Sequence, residues 1–224
     1  MSGVVRVETV VELLEQSRSV IVDELGNERT CRDILASGRE IASRFSGAGL
    51  THGDRIAVQM QNSALYVDVL AAAAIGGFVV MSVNTRFGAA LADSLIERSG
   101  ARLVIRSAED LPPSTDSGPD PVPATADDRF VIFTTSGTTS APKLVVHQQR
   151  SIAIHAADAA HGFGYNSESV VMVPMPLCGV FGFTVLWTAF AGHSKVIMPS
   201  AFDAEQTGRI VQERGVTSMH GSDD

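Results

Sequence analysis

Apolar runs with strand character alternate along this chain with segments of helical periodicity. Residues 55–60, 78–83 and 103–105 are predicted strands, and residues 64–75 and 89–99 are predicted helices between them. Glycine follows both helices, as is common where a helix ends. Strands that alternate with helices usually form parallel sheets whose faces are covered. We therefore expect a layered α/β fold with a mostly parallel β-sheet and helices on both faces.

Local signals predict where several helices begin. Thr30 and Asp33 have the spacing of a capping box. Either Asn62 or Ser63 is expected to cap the helix that follows them, and Ser151 is expected to cap a later one. The segment 180–191 is rich in large apolar residues and is predicted to be a buried helix.

The stretch 130–147 places a hydroxyl-rich loop between two apolar runs. Six of the seven side chains over 134–140 carry a hydroxyl, and Lys143 follows shortly after them. Backbone N–H groups around a glycine can converge on phosphate oxygens, while hydroxyls and a lysine add donors and positive charge. The spacing does not match the Walker loop. From composition alone, a surface turn with an exposed lysine is the alternative.

The order of residues 135–143, TSGTTSAPK, resembles the phosphate loop of the adenylate-forming (AMP-binding) superfamily, in particular that of acyl-CoA synthetases and fatty-acid–CoA ligases. The signature of that family is T-S-G-[TS]-T-G-x-P-K-G. Ser140 and Leu144 stand where the signature has glycine. The resemblance implies a set of residues that contact the phosphates of ATP: Thr135, Ser136, Gly137, Thr138, Thr139 and Lys143.

The same family resemblance extends to both sides of the loop. Residues 53–63 and 73–86 look like two upstream segments of the family, and PLCGVFG at 176–182 resembles its P-L-F-H-x-x-G segment. Cys178 and Gly179 replace the aromatic residue and the histidine of that last segment. The family borders its acyl pocket there, so the resemblance implies a substrate pocket at Cys178, Gly179 and Phe181. For Phe181, as for other aromatics of this helix, packing in the core is the default alternative.

The resemblance implies a two-step reaction. A carboxylic acid reacts with ATP and Mg²⁺ to form an acyl adenylate, and a thiol, commonly that of CoA, then displaces AMP. The matches cover only the first part of the family's large N-terminal domain, and the sequence contains neither its Y-G-x-T-E nor its T-G-D segment. These segments, the hinge and the small C-terminal domain are expected after residue 224, so no catalytic residue is assigned.

Three interpretations of the chain follow from these matches, and the third keeps adenylation but changes the acceptor, as in peptide-synthetase adenylation domains. In the first, it is the N-terminal part of an acid–thiol ligase and is inactive alone, so that acyl-CoA formation by the 224-residue chain would contradict it. In the second, it is a short non-catalytic relative that binds a nucleotide or a partner, or it is one half of a split enzyme. Binding of MgATP without turnover would favour the second.

Proline marks the expected division of the chain. Five of its nine prolines fall within 112–123. We predict a first α/β portion over 1–106, a proline-rich connection over 107–128, and an α/β portion with the phosphate loop over 129–224. If the sheet continues beyond the last predicted strand, at 216–218, its uncovered edge is expected to favour self-association.

Composition restricts the class of partner and the compartment. The net charge of −8 argues against nucleic acid, and the two cysteines imply no disulfide framework. The first 16 residues lack an apolar signal core, and prolines and glycines interrupt the uncharged stretch 169–194, so we expect no export signal, no membrane span and a cytoplasmic location. No motif for a metal site occurs, and His155 and His161 are expected on a helix surface.

Overall fold

The computed structural model describes residues 7–114, 120–135 and 142–221. The helices in these ranges are α1 (Val10–Gln16), α2 (Cys31–Gly47), α3 (Ala64–Gly76), α4 (Ala89–Ser99), α5 (Gln149–Phe163), α6 (Val180–Ala191) and α7 (Ala204–Glu213). The strands are β1 (Val20–Val22), β2 (Glu28–Thr30), β3 (Arg55–Val58), β4 (Val79–Ser82), β5 (Leu103–Ile105), β6 (Arg129–Thr135), β7 (Lys143–Gln148), β8 (Val170–Met172), β9 (Lys195–Ile197) and β10 (Ser218–Met219).

The strands form two five-stranded sheets. The first sheet has the order β10-β8-β9-β1-β2 and is parallel except for the β1–β2 hairpin. The second has the order β5-β3-β4-β6-β7 and is parallel except for the antiparallel pairing of β7 with β6. The predicted α/β class with mostly parallel strands is confirmed. The division of the strands between two sheets was not predicted.

Three apolar clusters show how the layers stack. Ala92 and Leu95 of α4 pack on the outer face of the second sheet, and Ile210 of α7 packs on the outer face of the first. The largest cluster lies between the two sheets and contains the buried sides of α1, α2, α3, α5 and α6. Trp187 of α6 is fully buried there. The order of layers is therefore α7, first sheet, five central helices, second sheet and α4.

Two predicted helix starts are confirmed and one is wrong. Thr30 caps α2 in a capping box with Asp33, and Ser63 caps α3. Ser151 is not a cap, because α5 already begins at Gln149 and the Ser151 hydroxyl donates to the Gln148 carbonyl at 2.8 Å. The earlier start allows the buried Gln149 side chain to join three helices. Its Nε2 donates to the α3 carbonyl of Ala74 at 2.7 Å, and its Oε1 accepts from the first N–H of α1 at 3.0 Å.

The proline-rich connection is tied to the body of the protein. It contains a short 3₁₀ turn at Ala108–Asp110, which the sequence did not predict, and Arg44 of α2 donates to the Pro112 carbonyl. Both sheets contain strands from each side of this connection. The boundaries 1–106, 107–128 and 129–224 remain a prediction. In the described ranges, no helix has the length and apolar character needed to cross a membrane.

Candidate phosphate and substrate site

The β6–β7 hairpin brings two of the predicted phosphate-binding residues together. Thr135, the last residue of β6, lies opposite Lys143, the first residue of β7. Because β6 runs parallel to β4, this pair lies at the carboxyl edge of the second sheet. The other predicted residues of the loop, Ser136, Gly137, Thr138 and Thr139, lie outside the described residues.

Side-chain alternation shows which face of the sheet Thr135 and Lys143 present. Leu144 packs into the cluster on the α4 side, so its neighbour Lys143 points to the opposite face. Phe133 is on that opposite face, and its ring lies 5.1 Å from the ring of Phe183 in α6, centroid to centroid. Thr135 and Lys143 are both exposed. They are therefore accessible on the side of the sheet where α6 packs.

The predicted substrate residues lie where α6 begins. Gly179 is the N-cap of α6 and its N–H donates to the Pro176 carbonyl at 3.0 Å, while Cys178 is buried. Phe181 is 57% exposed, whereas Phe183 in the same helix is fully buried. Phe183 is thus a core residue, and Phe181 is an apolar side chain directed outward. A substrate contact of Cys178, Gly179 and Phe181 stays a prediction.

Asn62 connects the two sheets and was not predicted as a site residue. Its Oδ1 accepts from the Leu177 N–H at 2.8 Å, and its Nδ2 donates to the Met175 carbonyl at 3.0 Å. Asn62 lies between β3 and α3, directly before the cap of α3, and is 4% exposed. It therefore holds the segment between β8 and α6 in place. The sequence left open whether Asn62 or Ser63 caps α3, and the structure assigns the cap to Ser63 and the contact with Leu177 to Asn62.

A cavity of about 380 Å³ opens between the carboxyl edges of the two sheets. The segments that line it follow β3, β4, β8, β9 and β10: residues 61–62, 84–86, 174–176, 200–202 and 219–221. Ligands of open parallel sheets bind at such carboxyl ends. The β6–β7 hairpin ends at the same edge of the second sheet, next to β4. The cavity and the candidate phosphate site therefore share one edge of the fold.

The cavity wall carries groups that can bind an anion or a polar ligand. Arg86 lies at one side, and His220 lies on the side of the first sheet. The Tyr165 hydroxyl is 2.6 Å from Nε2 of His220 and 3.0 Å from Oγ of Ser218, and these contacts orient the imidazole. Burial raises the pKa of Tyr165, so its hydroxyl stays neutral near pH 7.

The described residues contain no group of three or more His, Cys, Asp or Glu side chains that could hold a metal ion. His155 and His161 of α5 are both exposed, as predicted. Mg²⁺ commonly binds proteins together with the phosphates of a nucleotide.

Both thiols are expected to react slowly in the folded protein. Burial raises the pKa of Cys31 to about 11 and also raises the pKa of Cys178, although the positive charge of Arg86 opposes the change at Cys178. Because the thiolate is the reactive form, a raised pKa lowers reactivity at pH 8. We expect labelling by a maleimide at pH 8 to be about tenfold or more slower than in denaturant, measured by mass spectrometry. Native labelling of Cys178 at the denatured rate would contradict its burial.

The chain matches the family model described as "AMP-binding enzyme" over residues 12–222. It belongs to the AMP-binding enzyme family. A relative within it, a fatty acid–acyl-carrier-protein ligase of Streptomyces coeruleorubidus, is 30% identical over 86% of this chain and 43% of its own length. The long-chain-fatty-acid–CoA ligase FadD13 of Mycobacterium tuberculosis is 28% identical over 84% of this chain and 43% of its own. The chain thus spans less than half the length of these AMP-binding enzymes.

Solved structures agree on the fold. An inhibitor-bound N-terminal domain of FACL13 from Mycobacterium tuberculosis superimposes with a TM-score of 0.82. It is 24% identical, and the alignment covers 95% of this chain and 62% of that one. At this identity the similarity shows that the two proteins share a fold.

Proposed function

We propose that this chain is the phosphate-binding part of an ATP-dependent acid–thiol ligase. The observation that carries the proposal is the Thr135–Lys143 pair, exposed at the carboxyl edge of the second sheet beside a cavity between the two sheets. Membership of the AMP-binding enzyme family supports it. The chain spans 43% of the length of two relatives, and the activity is proposed for the protein or assembly to which this chain belongs.

The proposed reaction begins with ATP, which supplies an electrophilic α-phosphorus and arrives with Mg²⁺. A carboxylate oxygen of the acid bonds to that phosphorus while the bond to the bridging oxygen breaks, and pyrophosphate leaves. A thiolate sulfur then bonds to the acyl carbon, and AMP leaves. The positive charge of Lys143 stabilises the charge on the leaving phosphates, and the Thr135 hydroxyl donates to a phosphate oxygen. Ser136, Gly137, Thr138 and Thr139 complete the proposed cradle.

The cavity is proposed to hold part of the other substrates. Arg86 offers a positive charge to a carboxylate or to a phosphate of CoA, and Asn62 keeps the wall in place. Cys178, Gly179 and Phe181 are proposed to border the acid. The relatives are named for fatty acids and for two different thiols, acyl-carrier protein and CoA. A role in fatty acid metabolism and a cytoplasmic location are parts of the same proposal.

A second candidate function is binding without catalysis, either as a short relative or as one half of a split enzyme. In both of these forms Thr135 and Lys143 bind phosphate as they do in the first candidate. Turnover distinguishes the candidates. The split-enzyme form requires that a second polypeptide restore acyl-adenylate formation, whereas the binding-only form predicts that ligand binding is never followed by pyrophosphate release.

Lys143 provides the direct test. The chain has only two lysines, so Lys195, which pairs with Glu28 at 2.9 Å on the first sheet, is a matched control. We expect calorimetry to detect binding of inorganic tripolyphosphate with Mg²⁺. We expect Lys143→Met to weaken that binding about tenfold or more, because a charge-assisted hydrogen bond is lost, and Lys195→Met to leave it unchanged. Equal affinities in both variants would contradict the proposed site.

A further inference from the structure

A contact from α4 holds the residue that precedes Lys143. Nη2 of Arg98, in the last turn of α4, donates to the carbonyl oxygen of Pro142 at 3.0 Å. Arg98 belongs to the layer outside the second sheet, whereas the candidate phosphate site opens on the inner face. The contact therefore reaches the start of β7 from the side opposite the Lys143 ammonium.

A second contact fixes the same part of β7 on the same side. Leu144 packs against the apolar cluster formed by α4 and the outer face of the second sheet. Pro142 and Leu144, the residues on either side of Lys143, are thus both held from the α4 side. In the sheet described, β7 is an edge strand that pairs only with β6, so it lacks a second strand to order it. The contacts with α4 order this part of β7 instead.

The guanidinium of Arg98 is suited to such a contact. Within the described ranges, its only side-chain hydrogen bond is the one to Pro142, and no carboxylate lies within ion-pairing distance of it. A hydrogen bond from a charged donor to a carbonyl is stronger than a neutral one. Proline has no N–H of its own, so the carbonyl is the one backbone group of Pro142 that can form a hydrogen bond.

We propose that Arg98 is a positioning residue for the candidate phosphate site. By holding the Pro142 carbonyl, it orders the backbone at Lys143 before a ligand arrives, so that less ordering remains to be done on binding. The inference rests on the proposed function, because it assumes that Lys143 binds phosphate. Arg98 itself does not touch the ligand.

Three variants test the proposal in the 224-residue chain. Arg98→Met removes the donor and keeps most of the length, Arg98→Lys restores a charged donor, and Arg209→Met removes one positive charge from the exposed side of α7 as a control. We expect Arg98→Met to weaken binding of tripolyphosphate with Mg²⁺ about fivefold. Arg98→Lys should recover most of the affinity, and Arg209→Met should match the wild type.

Hydrogen exchange without ligand separates positioning from direct contact. Arg98→Met should speed up amide exchange at residues 143–145 in the ligand-free protein, while exchange in the core strand β4 stays unchanged. A loss of affinity with unchanged exchange would mean that Arg98 contacts the phosphate, and it would overturn the positioning role. Full affinity in Arg98→Met would overturn it as well. If the wild type binds no tripolyphosphate, the proposed function fails. The ordering of β7 by Arg98 is tested separately in that case, because unchanged amide exchange at residues 143–145 in Arg98→Met would contradict it.

Discussion

Replacement of Gly182 by alanine is expected to lower the free energy of unfolding by about 3 kcal/mol. A Cβ atom at this position would lie 2.4 Å from the Met175 carbonyl oxygen and 2.5 Å from that of Pro176. Both are backbone atoms of the segment that Asn62 holds, so neither can rotate away as a side chain would. The first turn of α6 would have to shift, and Cys178, Gly179 and Phe181 would shift with it.

Gly208 supplies the control for this substitution. It lies inside α7, and a Cβ there would meet no atom within 4 Å. Gly208→Ala should therefore stabilise the protein by about 0.5 to 1 kcal/mol, through helix propensity alone. Thermal unfolding should separate the two variants clearly, since a loss of about 3 kcal/mol corresponds to roughly 6 to 12 °C for a domain of this size. A Gly182→Ala protein as stable as the wild type would show that α6 does not pack closely on this segment.

Asn62→Ala is expected to cost about 2 to 3 kcal/mol of unfolding free energy. The substitution leaves the Leu177 N–H and the Met175 carbonyl without their bonds of 2.8 and 3.0 Å at a buried position. A buried polar group without a partner loses the full free energy of its hydration. The walls of the cavity between the sheets should also loosen, because this side chain joins the end of β3 to the segment after β8.

Asn27→Ala is the matched control for this second prediction. Asn27 is exposed in the β1–β2 hairpin, and among the described residues its side-chain amide donates only to Asp23, within the same turn. Its removal should cost less than about 1 kcal/mol, since water replaces the lost bond. Urea unfolding of both variants measures the difference. Equal losses in Asn62→Ala and Asn27→Ala would argue against a bridge between the sheets.

Signals that act within a few residues were sufficient to predict much of the fold. The helix over 180–191 was predicted to the residue, as was the helix over 89–99, because apolar periodicity and a following glycine are local. The apolar runs on either side of the hydroxyl-rich loop indicated two strands, but not that β6 and β7 pair antiparallel and place Thr135 opposite Lys143. The capping box of Thr30 follows from side-chain spacing alone.

Features that depend on distant partners were not predicted. Strand–helix alternation does not indicate which strands pair, so it could not predict that the strands divide between two sheets. Ser151 had the chemistry of a cap, but contacts of Gln149 with α1 and α3 start the helix earlier. The roles of Asn62 and Arg98 come from partners more than 40 positions away in the chain. Long-range polar contacts of this kind leave only weak traces in a single sequence.

The position of β1 has a consequence for how the protein folds during synthesis. Val20 pairs with Lys195, so the first sheet joins residues that are 175 positions apart. At about 5 to 20 residues per second, the ribosome needs roughly 10 to 35 s to deliver β9 after β1 has been made. During that interval the hairpin of β1 and β2 presents an unpaired apolar edge to solvent or to a chaperone. The described strands of the second sheet all come from residues 55–148, so this sheet can form before β9 has been made.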